Sequence, residues 1–105
     1  MDKWLERFLK EAVPILMEKL TPEKLVIFGS RVKGNASPTS DIDVIIVSKF
    51  FEGMHFLRRP AYTSRLVQFP IHVDFICYTP TEFDEIKNGG SVLVEEALEE
   101  GLTLL

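Results

Sequence analysis

The chain has 105 residues, 46% of them apolar and 27% charged, the length of one domain and the composition of a soluble globular protein, not a fibrous or disordered one. Its formal net charge of -4 and pI near 5.1 exclude a protein that coats nucleic acid, because neutralising phosphates needs a basic excess; a locally basic pocket remains allowed. A lone cysteine, Cys77, excludes an intrachain disulfide and a cysteine metal cluster and fits a reducing, cytoplasmic compartment, and no apolar run approaches the roughly 20 residues that span a bilayer.

Met1 to Trp4 lead straight into an amphipathic pattern and lack the basic start and apolar middle of a signal peptide. Trp4, Leu5, Phe8, Leu9, Ala12, Val13, Leu16 and Met17 recur at three- and four-residue steps, which predicts a helix over 2–20 capped by Asp2. Pro14 removes an amide donor inside that pattern, so the helix is kinked there or built as two pieces. After a turn at Thr21-Pro22-Glu23, Leu25 to Phe28 reads as an interior strand that stops at Gly29. Residues Ser30 to Ser40 carry turn chemistry and hold one short helical turn at most. Asp41 to Ser48 is a second strand, apolar on both faces from Val44 to Val47 and therefore central in the sheet.

The stretch from Phe50 to Pro70 is broken by Gly53, Pro60 and Pro70, with a helix expected over 61–69. Ile71 to Tyr78 reads as a third strand. Thr79-Pro80-Thr81-Glu82 has the form of a capping box with proline at the first helical position, and Asn88-Gly89-Gly90 ends the helix it starts. Ser91 caps a further helix to Glu100, Gly101 stops it, and Leu102 to Leu105 is a last short strand. The order of elements implies one α/β (α+β) domain over 1–105, a small mixed sheet with helices packed against it.

Asp41 and Asp43 stand two apart on a strand, so alternation points both carboxylates to one face. Oxygen ligands suit Mg²⁺, which takes one or two carboxylates and completes its shell with substrate phosphates. Asp74 lies among Val73, Phe75 and Ile76, where an unpaired charge is costly and the aspartate pair with its metal is the natural partner. Gly29 directly after a strand lets the backbone approach a ligand, and the Ser30 hydroxyl can bind phosphate oxygens; Arg31 and Lys33 add positive charge to the same loop. Each feature alone is commonplace. Together they discriminate, because a dehalogenase-type Asp-x-Asp follows its apolar strand whereas this pair precedes Val44 to Val47, and neither a Walker loop nor a GxGxxG fingerprint is present. His72 shares the face of Asp74 and reads first as a hydrogen-bonded core histidine; His55 is a loop residue, Cys77 a small buried hydrophobe, and the Trp4 to Leu16 stripe core or partner contact.

Gly29-Ser30, ten residues, then Asp41-Ile42-Asp43, with Asp74 on a later strand, resembles the signature of the DNA polymerase beta-like nucleotidyltransferase superfamily. Gly29 to Gly34 with Ser40 to Asp43 looks most like its short branch, the minimal nucleotidyltransferases. Lys33 and Asn35 depart from that branch, where arginine and aspartate are frequent, at positions that touch no metal ligand. The resemblance implies the polymerase beta-like fold and transfer of AMP, or another nucleoside monophosphate, from a triphosphate such as ATP. It implies Gly29, Ser30, Arg31, Lys33 and Ser40 around the nucleotide, and Asp41, Asp43 and Asp74 as catalytic carboxylates holding two Mg²⁺ ions, with Mn²⁺ as a substitute. Such proteins are commonly antitoxins paired with a HEPN-domain ribonuclease toxin, some by transferring AMP to a toxin tyrosine. The rival expectations are a silent module that neutralises its partner by occlusion and a small-molecule nucleotidyltransferase. A chain this short leaves little surface for a large acceptor, so a partner or a second copy in a homo-oligomer is expected to supply it.

Overall fold

The computed structural model describes residues 1–105, and in it the amphipathic N-terminal pattern forms two helices, α1 (Lys3–Glu11) and α2 (Val13–Leu20). Asp2 caps α1 by accepting from the Leu5 amide at 3.0 Å, and Pro14 sits in the first turn of α2, where its missing N–H breaks no helical bond. Strand β1 (Lys24–Phe28) leads through Gly29 into the single helical turn α3 (Ser30–Lys33), and β2 (Ile42–Val47) follows. Two 3₁₀ turns, Lys49–Phe51 and Phe56–Arg58, precede α4 (Arg59–Val67). Then come β3 (Val73–Tyr78), α5 (Pro80–Asn88), α6 (Val92–Glu100) and the two-residue β4 (Leu102–Thr103).

The expected helix over 61–69 is displaced toward the N-terminus. Pro60 lies in the first turn of α4, as an initiator instead of a breaker, and Gln68 takes a left-handed conformation (φ 45°) that ends the helix before Phe69. The third strand begins at Val73, two residues later than expected, and the last one stops at Thr103.

The four strands run in the order β3-β2-β1-β4, with β2 and β3 parallel and the other neighbours antiparallel, so β2 is interior as its double-sided apolar run requires. Alternation sorts the side chains onto two faces. Leu25, Ile27, Ile42, Val44, Ile46, Val73, Phe75 and Cys77 meet Leu5, Phe8, Leu16 and Leu20 of α1 and α2 in the larger core. On the other face Val26, Ile45, Val47 and Tyr78 meet Phe83 of α5 and Val94 and Ala97 of α6 in a smaller one. This second layer is short. It leaves open the end of the sheet where β1 finishes and β2 and β3 begin.

Candidate active site

The register places three residues in one row across the open end: Phe28 of β1 is the partner of Asp43 on β2, and Asp43 is the partner of Asp74 on β3. All three belong to the face that α5 and α6 cover only in part. Asp41 lies one step beyond β2 and leans toward His72, whose Nδ1 is 3.3 Å from its carboxylate. Two of the expected carboxylates are thus cross-strand neighbours, and the third flanks them.

Gly29 shapes the row. Its backbone (φ 91°, ψ -166°) lies where essentially only glycine is at ease, and a Cβ at this position would collide with Oδ2 of Asp43. The carboxylate of Asp43 therefore occupies the room that the glycine leaves, against the turn from β1 into α3. Asp43 is half-buried there, and its carboxyl is pushed above the ordinary aspartate range by burial first, then by the charges of Asp74 and Asp41, with His72 opposing.

Several sequence expectations need correction. Asp74 is exposed, not embedded among apolar side chains, because its face of the edge strand β3 extends past the end of the helical layer. His72 is no core histidine: its side chain is 70% exposed, at the same open end. Arg31, expected at the nucleotide, is buried with a side-chain exposure of 4% and turned inward. Its Nε donates to the Ser40 carbonyl at 2.9 Å, Nη1 to Asp2 at 2.9 Å and Nη2 to the Pro38 carbonyl at 3.4 Å, tying the loop after α3 to the cap of α1. Ser40 serves the same loop, since its Oγ accepts from the Ser37 amide at 2.9 Å and its carbonyl holds Arg31.

Ser30, half-buried, opens α3 beside Gly29, and its carbonyl accepts from the Gly34 and Asn35 amides. Lys33 ends that turn with its ammonium 2.8 Å from Glu100 of α6; the bond to that carboxylate holds the lysine above its ordinary pKa. Phe28, Gly29, Lys33, Leu93, Glu96, Ala97 and Glu100 enclose a recess of about 190 Å³ that opens beside the row. Sequence reading missed the α6 side of this recess, because charges on an amphipathic helix read as a solvated face. Cys77 is buried as expected, its thiol pushed up to about 11 by burial.

The side chains do not form a ready-made cage of three metal ligands. The donor set nevertheless fits a divalent cation of the Mg²⁺ kind: hard carboxylate oxygens only, with the negative charges of Asp74 and Asp41 adding to burial in shifting Asp43 upward.

A glycine turn packed against cross-strand carboxylates at the open end of a mixed sheet defines a site suited to phosphoryl-group chemistry. The chain belongs to the nucleotidyltransferase domain family, whose pattern it matches over residues 4–103. It is 34% identical over 89 residues to the Haemophilus influenzae protein named Probable protein adenylyltransferase MntA, an alignment covering 80% of this chain and 76% of that one. A crystal structure from Sulfolobus solfataricus assigned as a nucleotidyltransferase superposes with a TM-score of 0.58 at 28% identity, over 96% of this chain and 82% of that one. BolA1 from Arabidopsis thaliana shares the layout as well (TM-score 0.56, 26% identity, 78% of this chain and 98% of that one). A shared layout does not choose between functions; the family match supports nucleotidyl transfer.

Proposed function

We propose that this protein transfers AMP from ATP to a hydroxyl on another protein, a tyrosine of a HEPN-domain ribonuclease toxin, and so acts as its antitoxin. The observation that carries the transfer is the row of Asp43 and Asp74 beside the Gly29 turn. The protein acceptor rests on the exposure of Asp74 on an edge strand, where a hydroxyl of a macromolecule can reach it, and on the likeness to a relative named as a protein adenylyltransferase.

In this reading Asp41 and Asp43, with Asp74, would hold two Mg²⁺ ions, or Mn²⁺ in their place, and the bound metal would supply charge neutralisation of the triphosphate and polarisation of its phosphoryl group. Gly29 and Ser30 border the triphosphate, and Lys33 stands at the same edge. The acceptor oxygen attacks the α-phosphorus, the bond from that phosphorus to the bridging oxygen breaks, and pyrophosphate leaves with the electron pair. Asp74 takes the hydroxyl proton. A tyrosine hydroxyl with a pKa near 10 is a poor nucleophile at neutral pH, so a carboxylate in reach is worth about 10²-fold or more.

The purified pair incubated with labelled ATP and Mg²⁺ tests the proposal. The partner should gain one AMP mass on a tyrosine, and Asp74→Asn should slow the gain by about 10²-fold. A partner neutralised without any added mass overturns transfer in favour of occlusion. Equal transfer by Asp74→Asn removes that residue from the mechanism.

A further inference from the structure

We infer that the recess between β1, α3 and α6 holds the base of the incoming nucleotide and reads an exocyclic amino group, that of adenine, through Glu96. The inference rests on the nucleotidyl-transfer reading and adds how the site chooses its nucleotide. Four features carry it.

The recess shares Gly29 with the carboxylate row, and Phe28, the cross-strand partner of Asp43, forms part of its wall. A group bound in it is therefore contiguous with whatever engages Asp43. At about 190 Å³ it is smaller than the roughly 300 Å³ and more of a pocket for a whole drug-sized ligand, which suits one part of a nucleotide. Its lining is apolar on the flanks, with Phe28, Leu93 and Ala97, and Leu93 is 46% exposed. Such flanks suit the faces of a planar base.

Charge then decides which part of the nucleotide fits. Two carboxylates, Glu96 and Glu100, face one ammonium, Lys33, and that ammonium is already held by Glu100 at 2.8 Å. A phosphate is repelled by this balance. Glu96 has no ion pair or hydrogen bond within the chain and offers acceptors only, so it selects an N–H donor. Adenine presents its 6-amino group as such a donor; hypoxanthine presents a carbonyl oxygen at the same place and meets the carboxylate lone pair to lone pair.

Titration calorimetry of the intact protein with Mg²⁺ and either ATP or ITP tests this. The parent should bind ATP about tenfold or more tightly than ITP, the scale of a hydrogen bond to a charged group. Glu96→Gln, an exposed substitution that spares the fold, should bring the ratio close to one, because a glutamine amide can donate to the hypoxanthine carbonyl as well as accept from the amine. Leu93→Ala should weaken both nucleotides severalfold and leave their ratio unchanged. Tight binding that ignores the base, unaltered in Glu96→Gln, overturns the recess while leaving nucleotidyl transfer standing. Failure to bind any triphosphate, ATP, GTP, CTP, UTP or ITP, overturns both.

Discussion

Gly29 joins backbone conformation to chemistry at a single residue: its positive φ turns the chain from β1 into α3, and its missing side chain makes room for Asp43. Gly29→Ala therefore meets two penalties at once, a conformation that costs about 1–3 kcal/mol for any other residue and the displacement of a carboxylate. Urea denaturation should show a loss of about 2 kcal/mol or more, and the folded fraction should transfer nucleotide poorly; unchanged stability and rate together would make Gly29 an ordinary turn. The pairing of Gly29 with Asp43 was legible in the sequence as a spacing, though not as a contact. Arg31 shows where reading by residue type stops. A cation in a glycine loop suggests phosphate, yet its guanidinium is used up by Asp2 and two carbonyls, and Asp2 lies 29 positions away. Asp74 errs in the opposite direction, since its neighbours in sequence are apolar but the helical layer ends before its face of the sheet.

Among the elements, those with local signals followed the sequence closely: the capping box of α5 is formed, with Glu82 N–H donating to Thr79 Oγ1 at 3.3 Å and Thr79 N–H to Glu82 Oε1 at 2.8 Å. Helix α4 was harder to read because its start depends on distant partners. Arg59, at its first turn and with a side-chain exposure of 5%, donates to the Met54 and Cys77 carbonyls and to both oxygens of Glu82. Glu82 thereby serves the cap of α5 and the buried guanidinium that anchors α4 to β3. The Arg59 bonds hold its carboxyl below the ordinary glutamate range. A lowered folded pKa means stability that is present above the ordinary value and lost as pH falls through the lowered one. Glu82→Gln, which can still close the capping box, should cost about 1–3 kcal/mol at pH 7, less than a fully buried pair because Glu82 is partly open to water. The gap between parent and variant in thermal melts should shrink below about pH 4 and close once Glu82 is protonated in the folded parent. A gap that persists unchanged at acid pH would mean that packing, not charge, links the two helices.

At the scale of the whole molecule, the proposed working corner of the sheet lies at the end of its thinner helical layer. The larger core lies under α1, α2 and α4, while the carboxylate row sits at the uncovered end of the thinner layer. Burial of the Asp43 carboxylate, and after it the nearby charges of Asp74 and Asp41, oppose folding there: a raised folded pKa makes the ionised form of Asp43 a net cost at neutral pH. A bound cation with a triphosphate reverses that cost. Asp43→Asn should accordingly melt a few degrees higher than the parent without ligand, since about 1 kcal/mol corresponds to roughly 4–8 °C in a chain of this size. Mg²⁺ with ATP at about 100 times its Kd should stabilise the parent by about 2.7 kcal/mol, a rise on the order of 10 °C, and EDTA should remove it. The variant should show little or no such rise. Differential scanning fluorimetry of both proteins, with ATP alone, Mg²⁺ alone and the two together, separates the effects. A parent that is stabilised equally by ATP in EDTA, or a variant that is destabilised without ligand and still responds fully to Mg²⁺ and ATP, would show that Asp43 is a structural carboxylate and that the nucleotide is held elsewhere.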